Sequence, residues 1–279
     1  MKYCGHYNNK NFHNKDFDEW IFNYPENNPN LIMKMRSLKE ENCDKRIIID
    51  ISDFCGEPNW EILSASVREY PSSAILITKE QIDFVPQIRM NKIDWFFANG
   101  CSSWDMLKEC IDYGVSDVYI INELGFDIKN VSAYCKKNKT KVRIYPNIAQ
   151  NSALLLTIGA YTSFYVRPED VPLYEEYVDV FEFFGAPEKE GVLYEIYSDE
   201  EWLSDLELLI LNIPTPRDKR TKNNFIAEVF GKSRLDCKKK CIYNDCAICA
   251  NCVSAAKAIK ERRLEEITRE RNEDSEENT

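Results

Sequence analysis

From Arg46 onward the chain repeats one pattern: a short β-branched or aromatic run, then an amphipathic stretch of helical character. This repeat, more than any other feature, limits what the chain can fold into. The strand candidates are 47–50, 74–78, 94–99, 117–122, 142–147, 163–167, 180–184 and 206–212. Each is almost continuously apolar, as expected of parallel strands buried on both faces, and the helical stretches supply the covering layer. In the stretch 103–113, Ser102 or Ser103 is a natural N-cap and Gly114 a natural stop. The unit recurs about eight times, and eight such units close into a compact (β/α)8-like barrel. An open doubly wound parallel sheet fits the same pattern with less closure, but the repeat number favours the barrel.

Outside this repeat the chain changes character. Residues 1–44 are rich in Asn, Lys and aromatics with weak periodicity, and read as an N-terminal extension that wraps or caps a barrel-like domain at 45–213. Pro214 and Pro216 break regular structure and open a basic, cysteine-rich segment at 214–256. A charged helix and an acidic tail follow at 257–279.

A hydrophobic content of 44% over 279 residues is enough for a full-sized core. No stretch of about 18 uncharged apolar residues is present, which argues against a membrane span. The first residues hold no apolar core of a secretion signal, so the expected compartment is the cytoplasm. A net charge of −11 argues against uniform attraction to nucleic acid or anionic membrane. The charge is uneven, however. Arg217, Lys219, Arg220, Lys222, Lys232, Arg234, Lys238, Lys239 and Lys240 are opposed only by Asp218, Glu228 and Asp236. This 217–240 module is either a solvated loop or a phosphate-contacting surface, with Lys238, Lys239 and Lys240 as the nucleic-acid contacts.

In a reducing compartment the 11 cysteines are not a disulfide framework. Cys4, Cys43, Cys55, Cys101, Cys110 and Cys135 are scattered and read as small buried hydrophobes. The other five form Cys237-x3-Cys241-x4-Cys246-x2-Cys249-x2-Cys252. Thiolates at such spacing suit zinc or a [4Fe–4S] cluster, and spacing alone does not separate the two.

In α/β folds the carboxyl ends of the strands hold the active site. The polar residues there are Asp50, Asp53, Asn99, Asn122, Glu123, Asn147, Gln150, Arg167, Glu169 and Glu182. Of these, Glu123, Arg167 and Glu182 are the catalytic candidates. Arg167 could clamp a carboxylate or phosphate, while Glu123 and Glu182 could do acid–base work or neutralise Arg143 or Arg167. The only histidines, His6 and His13, fall in the extension. That excludes Ser-His and Cys-His hydrolase logic unless the extension folds over the site. With 9 glycines and neither a G-x-G-x-x-G nor a Walker-type loop, there is no nucleotide fingerprint.

The stretch Asp117-Val118-Tyr119-Ile120-Ile121-Asn122-Glu123-Leu124, the stretch Arg143-Ile144-Tyr145-Pro146-Asn147 and the C-terminal cysteines resemble the collagenase-like peptidase family. The resemblance implies a barrel-like α/β fold. For members that look like accessory proteins of RNA or quinone hydroxylation, it implies an iron–sulfur cluster on cysteines. Here the cysteines crowd into one C-terminal segment instead of spreading through the barrel. The Asn-, Lys- and Ile-rich composition is similar to that of AT-rich bacterial or phage genomes.

Two functional readings follow. One is a metal-containing barrel enzyme, zinc or iron–sulfur, that modifies a nucleic acid or small metabolite with Glu123, Arg167 and Glu182 lining its site. The other is a non-catalytic, zinc-stabilised interaction protein, of phage origin, whose C-terminal helix binds a protein partner.

Overall fold

Eight strands of the computed structural model form one parallel sheet in the order β5-β4-β3-β2-β1-β8-β7-β6. They are β1 Lys2–His6, β2 Glu19–Asn23, β3 Arg46–Asp50, β4 Ala74–Ile77, β5 Asp94–Phe97, β6 Asp117–Tyr119, β7 Lys141–Ile144 and β8 Val180–Glu182. The structure describes residues 1–6, 17–24, 33, 45–69, 73–121, 123–147, 166–183 and 187–199, with 257–258, 261, 264–265 and 268–269. The strand order is the chain order read around a ring. At the one remaining seam, Ser116 N donates to Trp95 O at 2.8 Å and Cys101 N to Tyr119 O at 2.7 Å. Cys101 and Ile120 also form a parallel bridge there. The sheet is therefore a nearly closed (β/α)8 barrel and not an open doubly wound sheet.

The α-helices with described limits are α1 Trp60–Glu69, α2 Val85–Met90, α3 Trp104–Asp112, α4 Glu123–Phe126, α5 Ile128–Lys137, α6 Val171–Tyr174 and α7 Pro187–Ser198. The limits of α3 follow from its sequence: the Ser103 hydroxyl accepts from Met106 N, and Gly114, at φ 70°, takes the left-handed position past the end. Two spatial units divide the chain. The barrel belongs to Met1–Ile120, Ile128–Tyr145 and Glu175–Tyr194, and the second unit to Ile121–Asp127, Pro146–Tyr174 and Glu195–Thr279. In the second unit, Val166 N bonds Pro146 O and the Tyr197 hydroxyl bonds Val166 O, at 3.0 and 2.8 Å.

Strand periodicity places alternate residues on opposite faces. Trp20, Ile47, Ile49, Ile75, Ile77, Trp95, Phe97, Val118, Val142, Ile144 and Phe181 are all buried. They lie on the face opposite Glu19, Arg46, Asp117, Arg143 and Glu182, which bond one another inside the ring. Burying each large apolar side chain contributes about 1.5–3 kcal/mol, so the outer wall carries the hydrophobic stabilisation. The inner face combines apolar residues such as Ile21, Ile48 and Phe96 with the polar groups.

Two expectations change. The segment 1–44 contains β1 and β2, so it is part of the barrel wall and not an extension wrapped around it. Its polar inner residues and Gly5 interrupt the apolar run that marks the later strands. At 163–167, only Val166 and Arg167 are described, and neither is in a strand. Arg167 is extended because Pro168 follows it and opens a 3-10 turn at Pro168–Asp170. The candidate strand 206–212 lies outside the described residues.

Candidate active site

The inner face holds a sealed charge network. Arg46 meets Asp117 in a fork, with both nitrogen–oxygen distances 2.7 Å. Arg143 donates to Glu19 at 2.5 Å, to Glu182 at 2.9 Å and to Asp117 at 3.3 Å. The Tyr119 hydroxyl donates to Glu182 at 2.5 Å, and the Tyr119 ring stacks on Tyr145 with centroids 4.8 Å apart. The Phe96 ring lies under both guanidinium groups, 5.8 Å from Arg46 and 5.2 Å from Arg143.

Two guanidiniums thus face three carboxylates, and all five residues are buried. Burial opposes the ionised form of Asp117, but Arg46 and then Arg143 outweigh it and hold this carboxyl well below the usual range. Burial pushes the Tyr119 and Tyr145 hydroxyls and the Cys4 thiol up, so all three stay neutral. The network can hold the ring in shape, but a closed layer offers a substrate nothing to grip.

The carboxyl ends of the strands are different. His6 ends β1, and its Nδ1 lies 2.7 Å from Glu190 Oε1, while its backbone N–H donates to Glu190 Oε2 at 2.7 Å. Glu190, on α7, is fully buried, whereas the His6 side chain is 34% exposed. With Nδ1 held, Nε2 makes no hydrogen bond among the described residues. Asp50 ends β3, and its Oδ1 accepts from Ser52 N at 2.8 Å.

The charges here are tuned toward proton retention. Burial works against an imidazolium at His6, yet the bond and charge of Glu190 overcome it, and His6 titrates above its ordinary value. Burial raises Glu190 despite His6. The pair therefore keeps its protons to higher pH than separate groups would. Burial also lifts the Asp50 carboxyl, against the bonds from Ser52. An imidazole oriented by a buried carboxylate, with the half-buried Asp50 carboxyl near enough for its charge to act on the ring, can give and take protons.

The residues singled out from sequence have separate fates. Glu182 lies in β8, but it is committed to Arg143 and Tyr119, the neutralising alternative of the two readings. Arg167 donates twice to Asp170, at 2.8 and 2.7 Å, with both residues buried, so its fork is filled within its own turn. Glu123 opens α4, and its side chain is outside the described set. Asn122 and Gln150 also lie outside it, as do Cys237, Cys241, Cys246, Cys249, Cys252, Lys238, Lys239, Lys240 and the whole 217–240 module.

Reading the chain's function as metal binding, with or without catalysis, needs correction. Among the described residues no group of three or more His, Cys, Asp or Glu could hold a metal ion. The acidic groups of the barrel meet arginines or a histidine instead. Likewise, none of the described helices is long and apolar enough to cross a membrane.

Sequence reading missed His6 as a barrel residue, and it missed Glu190, Glu19, Arg46 and Asp117 as partners. Arg46 opens the legible apolar run Arg46–Asp50, which marks its strand but not the carboxylates it would meet. Glu190 sits in a run of charged residues ahead of Gly191, where nothing distinguishes it from Glu188.

No family model matches this chain, and no curated protein matches it. Among solved structures, one described as a 4-hydroxy-2-oxoglutarate aldolase/2-deydro-3-deoxyphosphogluconate aldolase from TTHB1 is similar over 65% of this chain and 92% of that one. The identity is 11% and the TM-score 0.31. The barrel assignment rests on the strand order and the hydrogen bonds at the seam.

Proposed function

We propose that this chain is a barrel enzyme whose reaction turns on proton transfer at the carboxyl-end mouth of the barrel. His6 is the acid–base group, Glu190 orients it and fixes its tautomer, and Asp50 is a second proton carrier. The observation that carries this reading is the 2.7 Å contact between the part-exposed His6 Nδ1 and the fully buried Glu190 carboxylate. An Nε2 that makes no hydrogen bond among the described residues leaves the ring the second nitrogen that a general base requires. Barrel active sites lie at this end of the strands. The substrate class that fits is a small polar molecule with an exchangeable or transferable proton.

Incubating the protein with mixed small metabolites in deuterium oxide, and following label gain or turnover by mass spectrometry, tests the reading. A changed compound is expected, with the rate lowered about 10²–10⁴-fold in His6→Gln. A smaller loss is expected in Glu190→Gln, with both variants folded by circular dichroism. Turnover in His6→Gln equal to that of the unaltered protein would refute the assignment, and so would no change in any compound.

A further inference from the structure

Two cysteines that sequence reading treats as inert core residues lie against each other at the seam that closes the barrel. Cys101 follows β5, bridges Ile120, and bonds Tyr119 O through its backbone N–H. Cys110 lies on α3, nine residues further along the chain. Their sulfurs are 3.5 Å apart, with Cys101 as the donor, and both side chains are buried. A disulfide bond is about 2.0 Å long, so closure needs the sulfurs to approach by about 1.5 Å. Cys101 sits in the irregular turn between strand and helix, where a rotamer change can supply that movement.

We infer that Cys101 and Cys110 form a redox-active dithiol that closes to an intramolecular disulfide with a peroxide as oxidant. The surroundings make the two thiols unequal. The hydrogen bond from Cys101, and then the charge of Lys79, hold the Cys110 thiol below its ordinary value. Lys79 is a third exposed and is anchored by Glu109 at 2.8 Å. The same sulfur–sulfur bond and burial hold Cys101 up. Cys110 is therefore the attacking thiolate and Cys101 the resolving thiol.

The Cys110 sulfur attacks one peroxide oxygen and breaks the O–O bond. One water leaves after protonation, and Cys110 becomes a sulfenic acid. The Cys101 sulfur then attacks the Cys110 sulfur, losing its proton as the hydroxyl departs as a second water. Two thiols have lost two electrons and two protons, and one peroxide has become two waters. Cys135, the third buried cysteine nearby, is a poor competitor because burial pushes its thiol up to about 12.

The experiment uses the full chain, reduced, freed of reductant, titrated with hydrogen peroxide and quenched with an alkylating agent. Trypsin cuts after Lys92, Lys108 and Lys129, which puts Cys101 on peptide 93–108 and Cys110 on peptide 109–129. The expected product is the linked pair of these peptides, two hydrogens lighter than their sum. It should precede any other link among the cysteines of the barrel and be reversed by a thiol reductant. In Cys110→Ser the link is absent and Cys101 is recovered alkylated. Recovery of both peptides alkylated from the unaltered chain, while the exposed Cys55 is oxidised, would overturn the inference. A Cys101–Cys135 link in its place would do the same. Both of these results are measured on the unaltered protein and hold whether or not the variant folds.

Discussion

Replacing Arg143 with Met keeps a straight chain of similar length but removes the charge that three buried carboxylates share. Glu19, Asp117 and Glu182 are then left with Arg46 alone, and of these three Asp117 and Glu19 lie within 4 Å of it, as does the exposed Asp94 at 3.9 Å. Removing one partner of a buried ion network costs about 3–5 kcal/mol, because the remaining charges are desolvated without compensation. At about 2–4 °C per kcal/mol for a domain of about 150–250 residues, the midpoint should fall by about 6–20 °C. The loss should also depend on pH. In the unaltered protein Asp117 is held below its unfolded value, so its contribution is present above about pH 4 and lost as pH falls through its folded value. In Arg143→Met the stranded carboxylates take up protons more readily, and the variant narrows its deficit toward acid pH. Glu182→Gln is the contrasting change. It leaves two guanidiniums facing two carboxylates and an oxygen that still accepts from Tyr119, so the expected loss is below about 2 kcal/mol. Thermal unfolding by circular dichroism across pH 5–8 reads all three proteins. An Arg143→Met deficit under about 1 kcal/mol at pH 7, unchanged with pH, would refute the claim that this network is an electrostatic unit.

Two more outcomes concern the mouth of the barrel. Gly5→Ala would set a methyl 2.9 Å from the fully buried Phe17 ring and 3.0 Å from Glu190 Oε2. It should cost about 1–3 kcal/mol by overpacking in urea unfolding, and should shift the His6 imidazole resonances, which would stay put if Glu190 did not move. For the dyad itself, His6 has a folded value raised above its unfolded value near 6.5, so its contribution is full below that pH and is lost as pH rises through the folded value. The stability advantage of the unaltered protein over Glu190→Gln should therefore shrink from pH 6 to pH 8; an advantage that grew with pH would contradict the assigned proton.

How legible each part of the molecule was depends on what occupied the inner face of the barrel. Ile47–Ile49 and Ala74–Ile77 announce strands because their inner and outer residues are both apolar. Ser103 and Gly114 mark the ends of α3 because a cap and a left-handed residue are local needs with few chemical answers. Lys2–His6 and Glu19–Asn23 were hidden because Cys4, His6 and Glu19 face partners that are distant in sequence. Glu19 and Arg143 are 124 residues apart, and His6 and Glu190 are 184 apart. Pairings of that kind follow from ring closure, which no local window contains. Glu182 was legible as a strand residue, but its commitment to Arg143 depends on a neighbouring strand's register.

The pairing of β1 with β8, in register Cys4 with Glu182, also sets a timetable for synthesis. At about 5–20 residues per second, a ribosome needs roughly 10–35 s after making β1 to deliver its second neighbour. For much of that interval Glu19 and Arg46 are already made, while Arg143 and Glu182 are not. Collapse of an early half-barrel would bury Glu19 and Arg46, 3.7 Å apart in the finished ring, before their closer partners Arg143 and Asp117 are in place. The same groups that fasten the finished ring thus make an early, partial collapse costly.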